Sequence, residues 1–387
     1  MANKNAQNST KQISLFEKSF STLKDPRRTD RGHFYYPLDE ILLLVISAVV
    51  CGYKDWELIA AFGQEKIHWL RRFYPYAEGT PGEGMLKCLF RRIDTTCFSA
   101  CFTDWVNAVS KLSDGEVVAI DGKTICGSGD PGRPKSAIHI VSAYASDARL
   151  CLGQQAVGDK SNEITAIPRL LDLLSIKGCT ITIDAMGCQR EIASKIVESK
   201  AHYVLAVKDN NKELAEQVSK MFSIRTPDST FNTLDTGHGR IEERICQVIG
   251  DLTFLDGRQQ WKGLTSVARV ISIRIDKRTK IQTQQVRYYI SSLAPDAAKI
   301  GHAVRSHWGI ENRLHWQLDV IMGEDAALKR KDNSAKNFNI VYKLVLAMLE
   351  KDEMVKGSKN KKRQKATLDD NYREALIRRA FSNGAYV

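Results

Sequence analysis

Two short apolar runs that each end in an aspartate decide the fold of this chain: VVAIDGK at 117–123 and CTITIDAMG at 179–187. Both runs are rich in β-branched residues and have the length of a buried strand. A carboxylate at the C-terminal end of such a strand points into the crevice where α/β sheets bind ligands. Singly, Asp121 or Asp184 is more often the cap of the turn that follows. If the two strands are neighbours in one sheet, however, both carboxylates converge.

The elements around these runs alternate in a regular order. Strands are predicted three times between Val117 and Val157, and then helix, strand, helix, strand and helix follow as far as Phe222. The pattern is strand-rich from 223 to 295 and helical again from 296 to 352. We therefore predict an α/β core with a strand-rich insertion before its last long helix.

The two ends of the chain have a different texture, which suggests further units. The predicted units are a polar basic arm (1–36), an all-helical N-terminal domain (37–112), the two parts of the core (113–222 and 296–352), the insertion (223–295) and a basic C-terminal tail (353–387). Within the tail, Lys356–Lys365 holds six basic residues and no acid. Such a segment cannot bury a core, so we expect it to be mobile.

Composition limits the class of protein. The chain has 387 residues, 43% of them hydrophobic, and a net charge of +12 with a pI near 9.2. The basic excess favours a polyanionic partner, although solubility alone would also explain it. The longest apolar run, Ile41–Cys51, is shorter than the roughly 20 residues of a membrane-spanning helix. We predict a cytoplasmic protein without a membrane partner, whose nine cysteines are reduced core residues.

Converging carboxylates require a cation, because each would otherwise have a raised pKa. Oxygen ligands favour Mg²⁺ or Mn²⁺, and a pair of ions would need a third acid. The candidate is Glu311 in RSHWGIENRLHWQLD at 305–319. Polar residues form one stripe there at helical spacing: His307, Glu311, His315 and Asp319. The two histidines are explained equally well as partly buried surface residues. The acids that could replace Glu311 are Asp319, Glu324 and Asp325.

Several stretches, in the same order, resemble one protein family. They are AIDGK (119–123), KSNEITAIP (160–168), TIDAMGCQ (182–189), YVLAVKDN (203–210), HGRIEER (238–244) and HWGIENRLHWQLDV (307–320). From about residue 14 to 350 the chain resembles the DDE-type transposases of bacterial insertion sequences, in the branch of the H-repeat-associated proteins. The resemblance implies a ribonuclease-H-like core, Mg²⁺ or Mn²⁺ as two ions, and Asp121, Asp184 and Glu311 as the catalytic and metal-binding acids.

The implied activity is phosphoryl transfer on DNA. Water cleaves a phosphodiester at the end of the element, and the freed 3′-hydroxyl then attacks target DNA. The implied partners are double-stranded DNA, as terminal inverted repeats and as target, and a second copy of the chain in a homodimer on DNA. We expect residues 37–112 to recognise the element ends, with Arg27, Arg28 and Arg31 steering the arm onto the backbone.

The phosphate-binding residues are less clear from the resemblance. The broader group has a Tyr, an Arg and a Lys around its Glu, where this chain has Val304, His307 and Leu318. His307 could partly replace the cation, with Arg305 and Arg313 as alternatives. Further candidates for contact with DNA are Lys123, Lys160, Asn162, Lys208, His238 and Arg240. Glu163 is implied as a wall of the site, while Lys123 fits a solvated turn and His238–Arg240 a solvated hairpin tip equally well.

Two other functions are compatible with the sequence. One is a metal-dependent nuclease of the same fold that cuts DNA without joining it. The other is a DNA-binding relic of a transposase with impaired catalysis. The three intact acids argue against a relic, whereas the residues at 307 and 318 favour it.

Overall fold

The computed structural model describes residues 13–28, 35–129, 136–158, 161–237 and 239–382. The helices that precede the sheet are α1 (Ser14–Phe20), α2 (Leu38–Val50), α3 (Trp56–Glu65), α4 (Ile67–Leu70), α5 (Glu83–Arg92) and α6 (Thr95–Val109). The first part of the sheet and its helices are β1 (Val117–Ile125), β2 (Ile138–Ala145), β3 (Leu150–Ala156), α7 (Glu163–Leu173), β4 (Thr180–Ile183), α8 (Arg190–Glu198), β5 (His202–Val207) and α9 (Lys212–Ile224).

The second half of the chain adds strands and then helices. The strands are β6 (Ser229–Gly237), β7 (Arg240–Ile249), β8 (Ser266–Asp276) and β9 (Gln282–Ser291). The helices are α10 (Ala297–Ile310), α11 (Trp316–Val320), α12 (Ser334–Lys351), α13 (Lys359–Leu368) and α14 (Asp370–Phe381). A π-helical turn, Glu311–His315, joins α10 to α11.

One mixed sheet brings the two aspartate-bearing runs together. Among the described residues its strands lie in the order β3-β2-β1-β4-β5-β9-β8-β7-β6. Strands β1 to β3 form an antiparallel meander, and β4 lies parallel to β1. Because Ile120 pairs with Ile183, Asp121 and Asp184 occupy adjacent places at the same end of the two strands. The predicted α/β class is confirmed, and the fourth strand lies beside the first, which was the condition for the two carboxylates to converge.

The inserted strands continue this sheet. Strand β9 pairs antiparallel with β5, and β8, β7 and β6 follow outward from it. Helix α10 packs on the extended sheet, with Ala297, Ile300 and Ala303 buried against it. The sequence predicted three of the four strands. It did not reveal β6, whose residues after Ser229 are all exposed and therefore lack an alternating apolar pattern.

The beginning of the chain corrects the prediction of a polar arm. From Ile13 to Leu23 the chain packs into the protein, and α1 buries Leu15, Phe16 and Phe20. The ring of Phe16 lies 4.9 Å from that of Phe381 in α14. The apolar partner of α1 is thus more than 300 residues away in the sequence, so local composition could not indicate its burial.

The basic tail segment is also different from the prediction, because α13 covers most of it. Lys362 donates through Nζ to the backbone oxygens of Leu349, at 2.9 Å, and Asp352, at 2.5 Å. The guanidinium of Arg363 donates to the carbonyls of Val49, at 3.3 Å, and Ile321. These acceptors lie at or just beyond helix C-termini, where carbonyl groups lack helical partners. Two cations that were expected to be mobile therefore cap other helices.

The N-terminal helices share a core with the rest of the protein. Trp56 packs its ring 5.1 Å from Phe338 in α12, and Trp105 donates through Nε1 to the carbonyl of Ala380 at 2.9 Å. One hydrophobic cluster extends from α1 through these helices to the sheet. In the described ranges no helix combines the length and apolar character needed to cross a membrane. All nine cysteines are free thiols, but Cys88 and Cys126 are exposed, contrary to the prediction of core cysteines.

Candidate active site

Three carboxylates from different elements line one cavity of about 180 Å³. Asp121 lies within β1, Asp184 directly follows β4, and Glu311 begins the π-helical turn after α10. The register of β1 and β4 places the aspartates side by side, and α10 carries the glutamate over the same end of the strands. The structure thus brings together the three acids that the sequence singled out.

Charge and burial oppose ionisation in this cavity. Burial raises the pKa of Asp121 to about 7, and the like charges of Glu163, Asp184 and Glu311 add to the rise. Burial and Glu163 also raise the pKa of Asp184, although backbone N–H groups and Lys208 partly oppose this. A cation in the cavity would relieve both effects.

A histidine and a fourth carboxylate form a pair that lies against Gly122, next to Asp121. The Nε2 atom of His139, in β2, lies 2.6 Å from Oε1 of Glu163, and its Nδ1 atom lies 2.9 Å from Oγ1 of Thr124. A side chain at Gly122 would overlap both members of the pair, which explains the glycine in AIDGK. Glu163 was implied by the resemblance. His139 was missed, because nothing in its strand sequence distinguishes it.

The polar stripe of the Glu311 helix follows the edge of β1 and β4. His307 lies 3.0 Å from Thr182, measured from Nδ1 to Oγ1, and Nδ1 of His315 lies 3.5 Å from Oδ2 of Asp121. In an α-helix, residues i and i+4 are displaced from each other by about 40° around the helix axis, so a stripe with this spacing gradually turns away from its first direction. The wider π-helical turn at 311–315 offsets part of that drift, so the stripe keeps facing the strands.

Both histidines of the stripe are neutral at neutral pH. Burial lowers the pKa of His307 to about 4, with a smaller effect from the charge of Arg287. Burial likewise lowers the pKa of His315 to about 3, and Lys343 and Lys123 add to the effect. The prediction that His307 partly replaces a cation is therefore wrong for the protein alone. Both side chains are partly exposed, which agrees with the alternative of partly buried residues.

Lys123 is neither a solvated turn residue nor free to bind phosphate. Its Nζ atom lies 2.7 Å from Asp319, 3.2 Å from Glu324 and 3.2 Å from Asp325. The ligand atoms of those acids are close enough to one another to hold a metal ion. The lysine ammonium already compensates their charge, however. Asp319, Glu324 and Asp325 are therefore less suitable than Glu311 as metal ligands.

The other predicted DNA contacts have varied surroundings. Lys208 lines the cavity beyond β5, and Asn162 is exposed directly before α7. Arg240 is ion-paired with Glu242 at 2.5 Å, while Nη1 of Arg313 donates to the carbonyl of Ser146 at 3.3 Å. Arg305 is exposed and lines a neighbouring cavity. The candidates that lie outside the described residues are Lys160, His238 and Arg31.

The two described arginines of the predicted arm differ from each other. Arg27 pairs with Asp25 at 2.5 Å and donates to the carbonyls of Tyr35 and Tyr36. Arg28 is exposed. Arg27 therefore holds the segment before α2 in place, contrary to its expected role as a free cation for DNA.

Residues of the inserted strands also line the cavity, which the sequence did not indicate. Arg287 and Tyr289 of β9 reach it, and Trp308 of α10 borders it. The same three residues line an adjoining cavity of about 360 Å³ between α10 and the inserted strands. Arg287 directly follows a run of exposed, mostly polar residues, so no local pattern could connect it with Glu311.

Comparisons with known proteins agree on one family. A model described as "Transposase DDE domain" matches residues 112–348, and one described as "DDE_Tnp_1-associated" matches residues 17–106. "Putative transposase YncI" of Escherichia coli O157:H7 is 40% identical over 92% of this chain and 93% of its own length. "H repeat-associated putative transposase YhhI" of Escherichia coli K12 is 36% identical over 92% of this chain and 96% of its own length.

A solved structure, the piggyBac transposase synaptic complex with hairpin DNA, is similar with a TM-score of 0.45 and 13% identity over 96% of this chain and 80% of that chain. A likeness at that level adds nothing to the assignment. The match of the domain model from residue 112 to 348, together with relatives that align over nine-tenths of the chain, shows that this protein belongs to the family of the transposase DDE domain.

Proposed function

We propose that this chain is a DNA transposase that cleaves the ends of an insertion sequence and joins them to target DNA. The observation that carries the proposal is the shared cavity of Asp121, Asp184 and Glu311. Burial and the mutual repulsion of the carboxylates favour the binding of a cation there. The sheet order around β1 and β4 supports a ribonuclease-H-like core.

The side chains in the cavity fit a hard divalent cation. The donors are carboxylate oxygens, which Mg²⁺ and Mn²⁺ prefer, and their number suits two ions. When bound, such ions polarise a phosphodiester and lower the pKa of water. The pKa of about 7 shows that the ionised form of Asp121 is strongly disfavoured in the cavity when no cation is bound.

The chain's own residues position the reactants. The Glu163–His139 pair lies against Gly122 and limits the space beside Asp121, and Thr182 contacts the imidazole of His307. Lys208 supplies a positive charge beside Asp184, where it can meet a phosphate of the DNA backbone. Because Glu311 is exposed, a DNA strand can approach the acids without unfolding of the core.

The partners follow from the same activity. The protein would bind double-stranded DNA at its terminal inverted repeats and at a target, as a homodimer that holds two ends together. The basic excess of the chain supports such a partner. The printed names of the two bacterial relatives, which both contain the words "putative transposase", point in the same direction.

Cleavage of a duplex that carries the repeats flanking the gene tests the proposal. With Mg²⁺ or Mn²⁺ the protein should nick the element end, and EDTA should stop the reaction. The variants D121N, D184N and E311Q should abolish nicking and retain DNA binding, because each removes a negative charge that faces phosphate. Glu213, an exposed acid of α9, provides the control E213Q, which should behave as wild type.

A pre-cut end offered with target DNA separates joining from cutting. Strand transfer supports a transposase, whereas nicking without transfer would identify a nuclease. DNA binding without either reaction would identify a relic. Full activity of D184N or E311Q would remove that residue from the site.

A further inference from the structure

Arginine 287 has no role in the family resemblance, yet it reaches the candidate active site from the inserted strands. We propose that Arg287 binds a phosphate of the DNA strand at this site and supplies the cation that position 307 does not. The inference rests on the proposed function, because it concerns the same cavity and the same DNA substrate.

The position of Arg287 is the first support. It lines the cavity that holds the three acids and also the adjoining cavity of about 360 Å³. The two cavities meet at Arg287, Tyr289, Val304 and Trp308. A strand that enters between α10 and the inserted sheet therefore has to pass this arginine before it reaches Glu311.

The side chain is also oriented and supported. The guanidinium carbon lies 5.2 Å from the centre of the Trp308 ring, and Nη2 donates to Oε1 of Gln285 at 3.2 Å. Stacking on an aromatic face holds a guanidinium plane while leaving its edge free for an anion. The Nε atom is enclosed, and no atom in the described part of the chain accepts a hydrogen bond from it.

The charge of Arg287 is uncompensated, unlike that of its neighbours. Three other arginines of the inserted strands share the carboxylate of Glu242: Arg240, Arg244 and Arg274. Among the residues that the structure describes, by contrast, no carboxylate is ion-paired with Arg287. A half-buried guanidinium without an acidic partner is suited to a phosphate, which it can bind through two parallel hydrogen bonds.

Electrostatics connects Arg287 with the family's usual cation position. His307 occupies the place where the broader group has an arginine, and the charge of Arg287 contributes to lowering its pKa. The guanidinium therefore lies close enough to His307 for its charge to act at that position. A cation from β9 would perform the same task from the opposite wall of the cavity.

The test compares R287Q with R278Q in the full-length protein. Arg278 is exposed in the turn between β8 and β9, so both variants lose one positive charge from the same hairpin. For R287Q we expect single-turnover cleavage to fall by about 10²–10³-fold, the loss found for a positioned donor to a developing anion. We also expect the log–log salt slope of DNA binding to flatten by about one unit. R278Q should match wild type in both.

Two further measurements keep a folding defect apart from a lost contact. R287K keeps the charge but loses the planar fork, so its salt slope should stay near wild type while its cleavage rate falls. Replacing the cleaved phosphate by an uncharged methylphosphonate should make wild type and R287Q bind equally well, provided that their melting temperatures agree. Persistent weaker binding of R287Q to that DNA would overturn a contact with the cleaved phosphate.

The outcomes separate the two proposals. If wild type cleaves with Mg²⁺ and R287Q cleaves and binds like R278Q, the role of Arg287 is refuted and the transposase proposal stands. If wild type shows no metal-dependent cleavage of its own ends, the proposed function fails first.

Discussion

The ammonium group of Lys123 lies 2.7 Å from the carboxylate of Asp319, and this ion pair ties the strand that carries Asp121 to the helical segment that follows Glu311. Glu324 and Asp325 approach the same ammonium, each at 3.2 Å. These acids hold the pKa of Lys123 above its usual value, although burial opposes them. The pair thus positions the two halves of the candidate site relative to each other.

Replacing Lys123 by methionine should destabilise the protein by about 3–5 kcal/mol, the cost of leaving partners of a buried ion pair uncompensated. Glu324, which is 3% exposed, would then lose its ion-pair partner and keep the hydrogen bond from Asn339. Urea denaturation measures the loss. The control K87M removes an exposed lysine paired with Glu83 in α5 and should cost less than about 0.5 kcal/mol. Equal losses in the two variants would show that the Lys123 cluster has no special importance.

The pH dependence of stability should reveal the unfavourable charge of Asp121. Its pKa of about 7 in the folded protein lies above the ordinary value of 3.8, so the folded state binds the proton more tightly. The contribution of this group to stability is therefore present at low pH and is lost as the pH rises through 7. In metal-free buffer D121N should be more stable than wild type at pH 8, on the order of 2–4 kcal/mol.

That advantage should be mostly lost near pH 4, where Asp121 is protonated in the folded state and close to its ordinary pKa of 3.8 in the unfolded state. Thermal unfolding at several pH values measures it, with E213Q as a control that should show no such trend. Adding Mg²⁺ at pH 8 should raise the melting temperature of wild type more than that of D121N. A D121N advantage that is equal at pH 4 and pH 8 would disprove the raised pKa.

The basic residues of α13 should separate into structural and surface groups. K362Q and R363Q should each reduce stability by about 1.5–3 kcal/mol, because each removes charged hydrogen bonds to carbonyls at helix ends. Lys361 is exposed, so K361Q should leave the free energy of unfolding unchanged. Denaturant titration of the three variants decides the matter. If K362Q is as stable as wild type, the segment is a solvated linker, as the sequence predicted.

Deleting residues 1–110 should unfold the protein rather than merely remove the recognition of element ends. The deletion takes away the aromatic partner of Phe338 and the donor to the Ala380 carbonyl. Circular dichroism of the truncated chain should show loss of cooperative unfolding. A truncated protein that melts cooperatively would show that the remaining core is independent, and it could then be used to locate end recognition.

The sequence predicted the parts of the structure that depend on local pattern. The apolar runs before Asp121 and Asp184 specified two buried strands, and the helical spacing of the stretch at 305–319 specified the face that carries Glu311. The surroundings of Lys123 could not be predicted, because its partners are about 200 residues away. The same applies to Phe16, whose burial depends on a helix at the other end of the chain.

The tail segment and Arg287 show a second limit of what the sequence can predict. A run of lysines has the composition of a solvated linker whether or not its ammonium groups donate hydrogen bonds to carbonyls at helix ends. Arg287 lies where the exposed half of β9 meets its buried half, and only the pairing of β9 with β5 brings it beside Asp184 and Glu311. Such relationships follow from tertiary contacts, which the spacing of residues along one chain does not encode.

The position of bound Mn²⁺ tests most directly whether the three acids form one metal site. An anomalous difference map from crystals grown with Mn²⁺ should show density between Asp121, Asp184 and Glu311, and the same crystals of D184N should lose it. Density among Asp319, Glu324 and Asp325 instead, with Lys123 displaced, would contradict the assignment.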